Sequence, residues 1–74
     1  MTTYILERTG VPYDERFFSR WPYPRRRNEP TFTGPDTAAT YEIREEAEWM
    51  RDTIERDDGR YCRVVDAAPH METR

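Results

Sequence analysis

Apolar side chains recur three and four residues apart in one stretch of the chain, from Ile43 to Asp57. At about 100° per residue, four of them fall within a stripe roughly 60° wide: Ile43, Ala47, Met50 and Ile54. Acidic residues occupy the opposite side, and Gly59 follows, which can take the left-handed conformation that ends helices. The pattern predicts an amphipathic helix with one narrow face against the rest of the domain.

The residues just before this helix support two predictions. The one we favour makes residues 37–42 a strand, because Thr and Tyr favour strands, although the two Ala do not. In the other, Thr33 caps a longer helix that begins near Pro35. That helix would contain about 22 residues and span roughly 33 Å.

Outside the helix, β-branched and aromatic residues between turn residues indicate extended segments. These segments are residues 3–8, 31–33 and 60–66. Residues 11–21 have no clean period and fit either a short strand around residues 16–18 or a turn of helix. Residues 22–30 contain three prolines and three consecutive arginines, so a loop is predicted there.

The order of these elements predicts a small α+β domain. One amphipathic helix packs on a two- to three-stranded sheet, with an irregular loop rich in Pro and Arg. The chain has 74 residues, of which 35% are hydrophobic, so we expect a thin core. A thin core favours a homodimer, although nothing in the sequence defines its interface. We expect one domain over residues 1–68 and a flexible tail over residues 69–74.

The candidate catalytic residues are few. The chain has one Ser, one Cys, one His and no Lys, and its three glycines lie far apart. We expect His70 to be a solvated residue of the tail and Cys62 to be an apolar strand residue. Two possible Cys and His ligands are too few for a zinc site, and no phosphate-binding loop can be built. The sequence therefore predicts a protein that is not an enzyme and has no metal or cofactor.

Two features indicate the compartment. The single Cys cannot form an internal disulfide, which is typical of a reducing compartment. No signal peptide and no apolar run of about 18 residues is present, so neither export nor a membrane segment is predicted. We expect a cytoplasmic protein without a membrane partner.

The first candidate binding surface is an arginine–aromatic segment, residues 16–27, with five arginines, four aromatic residues and no acid. Arginine and aromatic side chains bind single-stranded nucleic acids and are also frequent at protein-interface hot spots. The residues assigned to partner binding here are Arg20, Trp21, Tyr23, Arg25, Arg26 and Arg27. A plainer interpretation puts Phe17, Phe18 and Trp21 in the core and turns the arginines toward the acidic helix.

The second candidate surface is the acidic side of the helix. Its assigned residues are Glu45, Glu48, Trp49 and Asp52. Trp49 lies roughly 100° from the edge of the apolar stripe, so it does not face the core. Either the Pro-rich loop covers it, which we favour, or it is exposed to a partner.

Residues 39–48, which end in Arg-Glu-Glu-Ala-Glu, and the strand residues Arg63, Val64 and Val65 support a resemblance. About half of the chain resembles small uncharacterised β-α-β proteins of GC-rich bacteria and their phages. The resemblance implies a fold and a genomic setting but no site residues. It places a phage-encoded chain in the cytoplasm of the bacterial host.

We therefore predict a small non-enzymatic protein-binding module, encoded by a phage or mobile element, that inhibits or modulates a bacterial host protein such as a defence protein. The alternative is a single-stranded nucleic-acid binder using Arg16 to Arg27. Its affinity would fall steeply with salt. The net charge of −3 argues against a general nucleic-acid binder, because such domains are usually basic.

Overall fold

A computed structural model describes residues 2–71. Four antiparallel strands form one sheet in the order β3-β2-β1-β4. The strands are β1 (Tyr4–Glu7), β2 (Phe17–Arg20), β3 (Thr31–Thr33) and β4 (Arg63–Asp66). The helices are α1 (Arg44–Asp58) and a single turn, α2 (Ala68–Met71). The predicted α+β class is confirmed, whereas the predicted number of two to three strands is wrong.

Both ends of α1 follow from local sequence. Ile43 is still extended, and the helix begins at the next residue, Arg44. At the other end Gly59 has a φ of 89°, and its N–H donates to the carbonyls of Ile54 and Glu55 at 3.0 and 3.1 Å. A side chain with a Cβ is strained in that conformation, so the glycine sets the end of the helix.

Neither prediction for the segment before α1 is right in full. The longer helix is wrong, because Pro35–Thr37 is a separate 3₁₀ turn and extended backbone follows it. The strand reduces to one bridge, in which the N–H groups of Tyr4 and Tyr41 each donate to the other's carbonyl at 2.8 Å. Ala39 also donates to the carbonyl of Phe18 at 2.9 Å. These bonds tie the segment to the sheet just ahead of α1.

Two apolar clusters lie on opposite faces of the sheet. The cluster under α1 contains four buried residues, Leu6, Phe18, Ala47 and Ile54. The cluster on the other face contains Ile5, Phe17 and Ala67. β1 contributes to both because successive side chains of a strand point to opposite faces.

The predicted apolar stripe is wrong at one residue. Ile43 is 52% exposed, because it precedes the helix and its extended backbone does not follow the helical period. Thr53 is buried instead, and its hydroxyl donates to the carbonyl of Trp49 at 2.8 Å. That bond satisfies the polar atom that burial removes from water.

The predicted tail is structured in its first part. α2 includes residues 69–71, and the His70 ring lies 4.8 Å from the Phe17 ring, centroid to centroid. The Tyr13 hydroxyl and His70 Nδ1 are 3.0 Å apart. The expectation of a solvated His70 is therefore wrong, because this ring helps to cover the second cluster. The remaining tail residues, 72–74, lie outside the described residues.

A charged group is buried beside the second cluster. Glu7 is 6% exposed, and one carboxylate oxygen accepts hydrogen bonds from Arg63 Nε at 3.1 Å and Nη2 at 2.9 Å. Arg16 Nη1 lies 3.9 Å from its other oxygen. Two guanidinium groups thus compensate one buried negative charge.

Candidate protein-binding surface

The loop after β2 carries exposed aromatic and basic side chains, and hydrogen bonds hold its two ends together. Trp21 Nε1 donates to the carbonyl of Asn28 at 2.9 Å, and Asn28 Nδ2 donates to the carbonyl of Pro24 at 2.9 Å. Arg25–Arg27 form a 3₁₀ turn between these anchors. Tyr23 is 91% exposed. The predicted loop is confirmed, and its two ends are held together.

Arg25 connects this loop to α1. Its Cζ lies 5.6 Å from the ring centroid of Trp21 and 5.7 Å from that of Trp49. Both distances are within the range of cation–π attraction. The two surfaces that were separate in the sequence are therefore continuous. We call the residues Trp21, Tyr23, Arg25, Arg26 and Trp49 the Trp–Arg surface.

The favoured prediction for Trp49 is wrong. The side chain is 57% exposed, although the Arg25 guanidinium lies over its ring. The loop approaches the indole with one charged side chain rather than with its prolines. Trp49 is therefore available to a partner.

The acidic side chains of α1 and the arginines of the loop differ in whether they form ion pairs. Three acids of α1 pair with arginines of the same helix: Glu48 with Arg44 at 3.2 Å, Asp52 with Arg51 at 3.0 Å and Asp57 with Arg56 at 3.0 Å. Three loop side chains form no ion pair with any residue in the range 2–71, namely Arg20, Arg26 and Arg27. Arg25 and Arg26 nevertheless face the acidic end of α1, because they line one cleft with Asp57 and Asp58, as the plainer interpretation held.

Besides a depression on the loop itself, lined by Tyr23, Pro24, Arg25 and Arg26, two depressions adjoin the Trp–Arg surface. A cleft of about 590 Å³ lies between the loop and the end of α1, lined by Trp21, Arg25, Arg26, Asn28, Arg56, Asp57 and Asp58. A groove of about 390 Å³ lies beside Trp49 and is lined by Tyr41, Glu45, Glu46, Trp49 and Met50. We call the second the Trp49 groove.

The structure separates the assigned site residues into two groups. Trp21, Arg25, Arg26, Glu45 and Trp49 line the two depressions, and Tyr23 is exposed beside Pro24. The second group comprises Arg20 and Arg27, which line neither, and Glu48 and Asp52, which have intrahelical partners. The aromatic residues Phe17 and Phe18 belong to the core, as the plainer interpretation held.

Sequence reasoning did not assign six of the lining residues to a site: Asn28, Tyr41, Met50, Arg56, Asp57 and Asp58. Met50 was assigned to the buried stripe, yet it is only half-buried and forms one wall of the groove. Glu46 and Met50 are four residues apart, as are Glu45 and Trp49. That spacing on a helix is the signal that could have identified the groove.

Cys62 is half-buried beneath α1, and this burial raises the pKa of its thiol to about 11 from 9.0. We expect alkylation by iodoacetamide near neutral pH to be markedly slower in the folded protein than in denaturant, because the thiolate is the nucleophile. The unfolded thiol loses its proton first as the pH rises, so stability should fall between pH 9 and about 11. Equal alkylation rates in the folded and denatured protein would contradict this prediction.

Within residues 2–71 no group of three or more His, Cys, Asp or Glu side chains could hold a metal ion. In the same range, no helix has the length and the apolar character needed to cross a membrane. Comparison with known proteins found no match to this chain among family models, curated proteins or solved structures.

Proposed function

We propose that this chain is a non-enzymatic module that binds another protein through the Trp–Arg surface. The observation that supports it is Arg25 between two indole rings, with Trp49 57% exposed and Tyr23 91% exposed. Trp, Tyr and Arg are the residue types that dominate hot spots of protein interfaces. Large aromatic side chains left in water without a partner reduce solubility, so their grouping at one place favours an interface.

The loop geometry adds to this argument. Trp21 and Asn28 fix the base of the loop through hydrogen bonds, and Arg25 stacks on rings from both elements. Side chains that are already held lose less conformational entropy on binding. A partner would therefore meet a surface whose central residues are largely arranged in advance.

The charges indicate what the partner presents at this loop. Arg26 and Arg27 are exposed and have no carboxylate partner within residues 2–71. Acidic groups on the partner would complement them, which increases the association rate and selects the partner. The finer proposal, a phage or mobile-element product that modulates a bacterial host protein in the host cytoplasm, rests on the sequence resemblance described above.

Affinity capture from a bacterial lysate tests this function. We expect a captured protein to remain after nuclease treatment and to bind at least about tenfold more weakly to Tyr23→Ala/Trp49→Ala, because hot-spot residues contribute about 2 kcal/mol or more each. Arg25→Ala/Arg26→Ala/Arg27→Ala should also weaken binding while leaving the circular dichroism spectrum unchanged. Dissociation constants would be measured by calorimetry on the purified pair.

Tyr61→Ala is the matched control, because Tyr61 is 74% exposed and lines neither depression. It should bind the captured protein as well as the unmodified chain does. A captured protein whose affinity is the same for all of these variants would contradict the proposed surface.

A single-stranded nucleic acid is the second candidate partner. The side chains of Arg20, Arg26 and Arg27, which have no ion pair among residues 2–71, favour it, since each could neutralise a phosphate. Asp57 and Asp58 line the same cleft as Arg26 and oppose it. Capture that disappears on nuclease treatment, together with affinity for single strands that falls steeply with salt, would favour this candidate over a protein.

A further inference from the structure

The Trp49 groove combines apolar walls with acidic side chains. We propose that it binds the side chain of an arginine or lysine that projects from the partner protein, an inference that rests on the proposed function. The Trp–Arg surface and the groove would then contact adjoining parts of one partner. The surface meets acidic groups, and the groove accepts one basic residue.

The walls of the groove suit a long aliphatic stem. Trp49, Met50 and Tyr41 form them, with Trp49 exposed and the other two half-buried. The volume of about 390 Å³ is open to solvent and accommodates one extended side chain together with neighbouring backbone. Lysine and arginine side chains pack their methylene groups on apolar surfaces while their charged ends remain in water.

The acids of the groove lie at its rim. Glu45 and Glu46 are each one helical turn before an apolar wall residue, Trp49 and Met50 respectively. Neither carboxylate forms an ion pair within the part of the chain that the structure describes. Both are exposed, so they are available to a cation at the mouth of the groove.

Charges of both signs act on Tyr41, a residue that lines the groove. The pKa of its hydroxyl is raised, first by burial, and the charge of Glu46 raises it further while Arg25 lowers it. Glu46 therefore acts on a group inside the groove, not only on solvent.

Other occupants fit less well. An acidic side chain would be repelled by Glu45 and Glu46, and a purely apolar one would cover carboxylates without compensating them. A guanidinium or ammonium group gains from both the carboxylates and the ring face of Trp49. Arg25 already places a guanidinium 5.7 Å from the centroid of that ring.

Two peptides that differ only in charge test the inference. Acetyl-Leu-Arg-Leu-amide and acetyl-Leu-citrulline-Leu-amide would be titrated into the whole chain, and the shift of the Trp49 indole N–H followed by NMR. We expect the arginine peptide to bind about fivefold more tightly, since exposed ion pairs contribute up to about 1 kcal/mol. Equal affinities, or no shift with either peptide, would overturn the proposal.

Matched variants assign the preference to the groove. Glu45→Gln/Glu46→Gln should abolish the preference for arginine, whereas Asp14→Asn/Glu55→Gln, with the same change in net charge at exposed sites outside the groove, should retain it. A preference that survives the first pair would overturn the inference. The proposed function fails separately, because it fails when the unmodified chain captures no protein at all.

Discussion

Replacing Phe17 with alanine is expected to lower the free energy of unfolding by about 3–5 kcal/mol, the usual cost of deleting a fully buried aromatic ring. Phe17 is 0% exposed and holds together the cluster on the sheet face opposite α1. Tyr13 packs on its ring edge-on at 5.4 Å and His70 lies at 4.8 Å, so the cavity would open between three elements. The total free energy of unfolding of a domain of this length is about 4–11 kcal/mol.

Urea denaturation followed by circular dichroism would measure this change. Tyr23→Ala serves as its control, because a side chain that is 91% exposed contributes less than about 0.5 kcal/mol. Hydrogen exchange should also show that α2 loses protection in Phe17→Ala before α1 does, since α2 packs on the affected cluster. If both substitutions change stability equally, the second cluster does not stabilise the fold.

Removing the carboxylate of Glu7 is expected to cost about 2–3 kcal/mol. Glu7→Ala would leave Arg63 without two hydrogen bonds and Arg16 without its ion-pair partner. We place the cost below that of a fully buried pair, because the guanidinium groups are partly exposed and can recover water. The midpoint of urea denaturation reports the change.

Two further substitutions separate charge from packing at this position. Glu7→Gln keeps the volume and one acceptor oxygen, so it should destabilise the fold less than Glu7→Ala does. Glu55→Ala removes an exposed acid from α1 and should leave the midpoint nearly unchanged. If Glu7→Ala leaves the midpoint of urea denaturation unchanged, the two arginines are as well solvated without the carboxylate as with it.

The local elements were predictable where a short stretch of sequence decides them. The spacing of Ala47, Met50 and Ile54 predicts α1, and Gly59 ends it where the sequence indicates. The strands β1, β3 and β4 lie within the segments that residue type predicts to be extended. β2 does not follow from alternation, because Phe17 and Phe18 are both buried, one in each cluster, so apolar and polar residues do not alternate there.

The site was less predictable because it depends on contacts between distant segments. The arginine–aromatic segment was identified from composition, but the stacking of Arg25 on Trp49 joins residues 24 positions apart. His70 shows the same limit, since its position on Phe17 follows from β4 leading the chain to the uncovered face of the sheet. Neither contact can be predicted from the pattern of residues within a short segment.

The sheet order has a consequence for how the chain folds. β1 is an inner strand and pairs along its whole length with β4, from Tyr4 opposite Asp66 to Glu7 opposite Arg63, but with β2 only at Glu7. β1 therefore leaves the ribosome well before β4, the strand with which it pairs most extensively. Such long sequence separation slows two-state folding. Until β4 emerges, the nascent chain would expose Ile5 and Leu6, which would make it a substrate for chaperones during synthesis.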